Sequence, residues 1–137
     1  MTTFNKDFKY DLEFGEIRER RVAAIIGNGK VEVKTERGQW AATGNIAIEY
    51  RYRGNPSGLT TSKAEFWWYM LEKDGRHIYS IVFPTDELKA KIRALDAQGK
   101  IRRTKGGDDN QSDLLLGPII DLLGGRMDYE HQPIMCL

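Results

Sequence analysis

Residues 30–53 read KVEVKTERGQWAATGNIAIEYRYR, and two stretches of this run alternate strictly. In the first, Val31, Val33 and Thr35 fall on one face and Glu32, Lys34 and Glu36 on the other. In the second, Ile46, Ile48, Tyr50 and Tyr52 face one way, and Ala47, Glu49, Arg51 and Arg53 the other. A period of two marks a strand. With Arg37 to Asn45 read as a loop, the symmetric pairing is an antiparallel hairpin turning near Trp40 and Ala41. That register sets Glu32 opposite Glu49, with Lys34 one pleat along on the same face. Facing carboxylates repel, by a few tenths to ~1 kcal/mol, and a cation between them reverses the sign. Paired hard oxygen ligands beside an ammonium suit Mg²⁺-assisted phosphoryl transfer. A half-exposed strand alternates in the same way, so the spacing alone leaves a plain surface strand open as well.

Upstream, Asp11 to Ile26 has a helical distribution of apolar residues: Leu12, Ile17, Val22, Ala23, Ile25 and Ile26 are available for a buried face. Gly27-Asn28-Gly29 stops it. Glu16 and Glu19 lie three apart, so one helical face presents both toward a metal shell. Downstream, Gly54 to Gly58 is turn-rich. Ser62-Lys63-Ala64-Glu65 matches a capping box, predicting a helix through Phe66-Trp67-Trp68-Tyr69-Met70-Leu71. Lys73-Asp74-Gly75 reads as a turn, His77 to Phe83 as a strand, and Pro84-Thr85-Asp86 as the start of a helix to about Ala97. Beyond Gly99 the pattern predicts a strand from Ile101, a turn over Gly106 to Asn110, and an apolar stretch from Leu114 to Leu123 broken by Gly117-Pro118. The order α-β-β-α-β-α predicts a mixed α+β or α/β single domain over residues 1–137.

Length and composition bound the function. One chain of 137 residues, 40% hydrophobic and 30% charged, suits one globular core. The 21 Lys+Arg and 20 Asp+Glu leave a net charge of +1, so attraction to a polyanion has to come from local clusters. Cys136 is the single cysteine, which excludes an internal disulfide and a multi-cysteine zinc site. The charged N-terminal stretch and the shortness of Leu114 to Leu123 predict no signal peptide and no membrane span. The expectation is a cytoplasmic protein of a reducing compartment. No G-x-S-x-G, H-E-x-x-H or P-loop motif occurs, which argues against serine hydrolases, zinc proteases and nucleotide hydrolysis.

Several of these elements resemble a known family when taken together. Glu32-Val33-Lys34, Thr43-Gly44-Asn45, Ile48-Glu49-Tyr50, Gly54 with Pro56-Ser57-Gly58, Thr61 to Trp68, and the later FPTDEL and GGDDNQSDLLLGPI runs are similar to small phage and prophage endonuclease-like proteins of the PD-(D/E)XK nuclease superfamily. The resemblance implies a restriction-endonuclease-like αβββαβ core. It also implies Mg²⁺-dependent cleavage of DNA, with Mn²⁺ as a substitute, a phage or prophage origin in a bacterial host, and a homodimer. The superfamily pattern is an acid on the first helix, an Asp on one strand and Glu-x-Lys on the next. Glu32-Val33-Lys34 matches Glu-x-Lys, yet no strand with an Asp precedes it. In the other assignment Glu32 takes the Asp position, Glu49 the Glu position and Arg51 the Lys position, with Lys34 supplying its ammonium from the neighbouring strand; this one fits the hairpin. Under either, the catalytic candidates are Glu32, Lys34, Glu49, Glu16 and Glu19, and the metal candidates are Glu32, Glu49 and Glu16.

The DNA-contact candidates are Arg51, Arg53, Ser57, Lys63, Arg102, Arg103 and Lys105. They form basic clusters, a phosphate-facing turn and the approach to the aromatic segment. Ordinary solvated surface and capping account for the same residues, and core packing accounts for most of Trp67, Trp68 and Tyr69. His77 and His131 lack partners at ligand spacing. A non-catalytic nucleic-acid- or partner-binding module is the alternative function, and a purely structural protein a third.

Overall fold

The computed structural model describes residues 2–28 and 30–124; His131 and Cys136 lie outside the described residues. Helix α1 (Thr2–Asn28) leads into strand β1 (Val31–Arg37), and a short helix α2 (Gln39–Thr43) separates it from β2 (Asn45–Tyr52). A two-residue strand β3 (Asn55–Pro56) and a single 3₁₀ turn (Gly58–Thr60) precede the hairpin β4 (Phe66–Lys73) and β5 (Arg76–Pro84). Then come α3 (Thr85–Ala97), β6 (Arg102–Gly106), β7 (Ser112–Pro118) and α4 (Ile119–Leu122). The class is mixed α+β, with two sheets, ordered β1-β4-β5 and β3-β2-β7-β6. Strand β1 runs parallel to β4; every other pairing is antiparallel.

The expected hairpin does not form. β1 and β2 belong to different sheets, and Glu32 stands beside Trp67 rather than opposite Glu49. The physical reason lies in the connection. Gly38 (φ +79°) and Gly44 (φ +73°) take left-handed backbone on either side of α2, turning the chain out of the first sheet. The Glu72 carbonyl on β4 then accepts both the Gly38 N–H and the Trp40 indole N–H, each at 2.7 Å, which holds the departing chain against β4.

The aromatic helix does not form either. Phe66–Lys73 is the central strand of its sheet, with Trp67, Tyr69 and Leu71 buried and Phe66, Trp68 and Met70 half-buried between them. A run of aromatics fits a pleated surface buried on one face and half-buried on the other, and that outweighs the capping-box pattern. The Ser62 hydroxyl accepts the Ala64 N–H (3.3 Å) and the Trp67 indole N–H (2.9 Å), while the Lys30 carbonyl takes the N–H groups of Glu65 and Phe66 into the parallel ladder.

The remaining expectations fare better. The turn at Asp74-Gly75 places both residues at positive φ, the backbone that matches strand twist in a two-residue hairpin. The helix from Thr85 to Ala97 buries Leu88, Ile92 and Leu95. Helix α1 covers the anticipated segment, but its apolar residues Leu12, Ile17, Val22 and Ile26 are exposed, so the expected buried face is absent. No described helix is long and apolar enough to cross a membrane.

One core joins the sheets: Ile46 and Ile48 of β2, Trp67, Tyr69 and Leu71 of β4, Phe83 of β5, and Leu88, Ile92 and Leu95 of α3 all belong to it. Trp67 is 1% exposed whereas Val33, on the opposite face of its sheet, is 54% exposed. Trp67→Ala is therefore expected to cost about 3–5 kcal/mol and Val33→Ala less than ~1 kcal/mol in urea unfolding. Equal losses at the two positions would show that the faces of this sheet are assigned the wrong way round.

Candidate functional site

Strand β1 presents its charged face, not its valines, to the inner side of the sheet. Glu32, Lys34 and Glu36 are half-buried, in register with the buried Trp67, Tyr69 and Leu71 of β4, while Val33 and Thr35 are exposed. The Lys34 ammonium lies 2.8 Å from Glu32 Oε1 and 5.3 Å from the centre of the Trp67 ring. An ammonium over an indole face is attracted by the ring quadrupole. The pair keeps 38% (Lys34) and 45% (Glu32) of its side-chain surface open, so both groups remain reachable by a ligand.

Glu36 performs a different task. Its Oε1 accepts the Ala47 N–H of β2 at 2.7 Å, and the Tyr69 hydroxyl donates to the Ala47 carbonyl at 3.3 Å. Side chains of the first sheet thus satisfy the backbone of β2 where β3 does not pair with it. Burial pushes the Glu36 carboxyl above the ordinary value of 4.5, with the Ala47 hydrogen bond pulling the other way. Burial, followed by the negative charges of Glu36 and Glu32, holds the Tyr69 hydroxyl well above 10.0.

Glu49 lies two residues beyond Ala47 on the same side of β2. Ser57 donates to its Oε2 at 2.7 Å and Ser112 to its Oε1 at 2.5 Å. Gly58 makes this approach possible: a Cβ there would collide with the Glu49 carbonyl, and its φ of +54° favours glycine. Two hydroxyl donors orient an acceptor-only carboxylate, and hydroxyls can rotate away when a stronger acceptor or cation arrives.

The other candidates are dispersed. Glu16 and Glu19 are exposed on α1, and the described residues bring together no three His, Cys, Asp or Glu side chains able to hold a metal ion. The anticipated shell of Glu32, Glu49 and Glu16 is therefore not assembled, because the hairpin that was to gather it is absent. Most of the basic candidates carry acidic partners. Arg51 pairs with Asp113 at 3.1 Å, Arg53 with Asp109 at 3.6 Å, Arg103 with both oxygens of Asp96 at 3.0 and 2.8 Å, and Lys105 with Asp113. The Lys105 and Arg51 cations hold the Asp113 carboxyl below its usual range. Arg102 and Lys63 are exposed, on β6 and just before β4 respectively. Ser57 is the one turn residue that reaches a candidate carboxylate, through its hydroxyl.

Three participants escaped the sequence reading. Ser112 opens the largely buried strand β7, with nothing in its spacing to link it to Glu49. Tyr69 was hidden in the misread aromatic run. Glu36 stood in the alternation as one more surface acid; the signal was the long apolar neighbour strand that buries this face. No family model, curated protein or solved structure matches the chain.

Glu36 supplies a pH test. An acid whose folded pKa is raised binds a proton more readily in the native state, so stability falls as pH rises from 4.5 through the raised value. Glu36→Gln keeps a carbonyl acceptor for the Ala47 N–H and does not titrate. The variant is expected to be more stable than wild type in urea unfolding at pH 7, with the gap closing by pH 4. A variant less stable at pH 7 would mean that the charged carboxylate is required at the sheet junction.

Proposed function

We propose that this protein is a small Mg²⁺-dependent DNA endonuclease, built on a divergent restriction-endonuclease-like core. The observation that carries the reading is the charged row of β1 turned to the inner side of its sheet. A strand with valines available has set Glu32 and Lys34 in contact on the half-buried face, where each charge loses part of its hydration. The resemblance to PD-(D/E)XK proteins supplies the chemical identity of that row. With the hairpin gone, we read Glu32 and Lys34 as the Glu-x-Lys pair; in the other assignment Arg51, paired with Asp113, takes the lysine position.

In this reading Glu32 and Glu49, which stand on different sheets, would be the carboxylates offered to a Mg²⁺, an ion commonly bound through one or two carboxylates with water and substrate phosphate. When bound, the ion compensates phosphoryl charge and lowers the pKa of water. Glu32 and Glu49 are hard oxygen donors, and that donor chemistry is what supports the assignment. Ser57 and Ser112 orient the Glu49 carboxylate. Lys34, in contact with Glu32, would orient the attacking water and offset the negative charge that develops on the phosphate. Trp67 fixes the direction of that ammonium. Glu16 and Glu19 are left as assisting acids only if α1 packs differently when DNA is present.

A second reading, a partner-binding module, is favoured by one observation. The outer face of the first sheet is apolar, with a groove of about 340 Å³ lined by Ile26, Val31, Val33, Trp68 and Met70, among others. The resemblance implies a homodimer, and in this second reading a second copy of the chain would cover that face.

Cleavage of supercoiled plasmid in Mg²⁺, Mn²⁺ or EDTA separates the readings. Wild type is expected to nick with either metal and not with EDTA; Lys34→Ala and Glu49→Ala are each expected to lose 10²-fold or more of the rate. Absence of nicking with both metals across ordinary salt and pH, or full activity of both variants, overturns the nuclease reading.

A further inference from the structure

Helix α3 and the second sheet leave an open groove of about 290 Å³ between them. Tyr50, Leu59, Ile92 and Leu115 form its floor, and Lys89 and Arg93 its rim. This volume is at the lower end of the ~300–1,000 Å³ typical of small-molecule sites. None of its lining residues belongs to the carboxylate site, and none is acidic.

The rim is cationic. Lys89 and Arg93 are four apart on α3, so two like charges share one helical face. Neither lies within ion-pair distance of a described carboxylate, whereas Arg51, Arg53, Arg103 and Lys105 each have an aspartate. Beside the groove, Arg103, held by Asp96, lies 5.9 Å from the centre of the Tyr50 ring. The wall opposite α3 is fixed, because the Thr60 hydroxyl donates to the Tyr50 carbonyl at 2.9 Å. An aromatic and aliphatic floor beneath two uncompensated cations calls for a ligand that is anionic at one end and flat and apolar at the other. A nucleotide has both parts, and only an unpaired strand can offer its base to a groove of this size.

We propose that this groove holds one nucleotide of a single DNA strand, its base against Tyr50 and Leu59 and its phosphate between Lys89 and Arg93. The choice of DNA as the polymer rests on the endonuclease reading above; the groove chemistry does not depend on cleavage. The site gives the enzyme a grip on an unpaired strand, and with it a preference for DNA that carries a single-stranded segment.

Fluorescence anisotropy of a labelled thymidine 12-mer with the full chain in EDTA tests this. Wild type is expected to bind, and Lys89→Glu with Arg93→Glu to weaken binding at least tenfold. The milder Lys89→Ala with Arg93→Ala is expected to weaken it severalfold and to lower the slope of log affinity on log salt by about 0.7, the value for one phosphate contact on a single strand. Lys73→Glu with Arg76→Glu, an equal charge change at the exposed β4–β5 turn, is expected to change affinity less than twofold. No binding by wild type, equal loss in the control, or equal competition by a blunt duplex overturns the groove assignment. Lys89- and Arg93-dependent binding without plasmid nicking would sustain the groove and reject the nuclease.

Discussion

The parallel register of β1 on β4 is the constraint on which the site depends. Side chains on a strand alternate, so a slip of one residue would carry Val31, Val33 and Thr35 to the inner face and turn every charge of the strand to solvent. The register is held at both ends: the Lys30 carbonyl receives two N–H groups from the start of β4, and the Gly38 N–H reaches the Glu72 carbonyl near its end. Between these clamps Glu32 and Lys34 face the rim of the core, and Glu36 reaches the backbone of β2. The same register leaves an apolar groove outside and a polar, reachable row inside, the reverse of what hydrophobic burial alone would choose.

That inversion links stability to function. The core that joins the sheets is carried by β2, β4 and α3, and β1 contributes no fully buried apolar side chain to it. An edge strand relieved of core duty is free to hold groups chosen for chemistry. Its position also exposes them: the Glu32–Lys34 pair keeps a large part of its surface open, which the proposed binding of DNA would need. Glu49, by contrast, is fixed by Ser57 and Ser112 from two other segments, so its direction depends on the turn at Gly58 and on β7. The proposed chemistry therefore rests on two sheets that meet through side-chain hydrogen bonds rather than through a shared ladder.

Much of the chain was legible where local physics and tertiary packing agree. Strands β1, β2 and β5, the Asp74-Gly75 turn and helix α3 follow from alternation, positive-φ turn residues and an amphipathic repeat. The misreadings arose where long-range contacts decide. Ser62 and Glu65 look like a cap in isolation, but the Trp67 indole claims the Ser62 hydroxyl, and parallel pairing with β1 is invisible to local pattern. The hairpin failed because Gly38 and Gly44 punctuate a helix that a nine-residue loop reading cannot reveal. Of the site, Glu32, Lys34, Glu49 and Ser57 were named from the sequence as candidates; Ser112 was not, because its contact with Glu49 spans 63 positions.

The proposal at stake is that Glu32 and Lys34 of β1 are kept for chemistry at no benefit to the fold. The most direct measurement is the unfolding free energy of the double variant Glu32→Leu with Lys34→Met, read beside its DNA cleavage. Replacing a half-buried ion pair with apolar side chains of similar volume is commonly neutral or stabilising. The account expects a variant at least as stable as wild type that no longer cuts DNA. A variant destabilised by several kcal/mol that still cuts would make the pair a structural element and contradict the account.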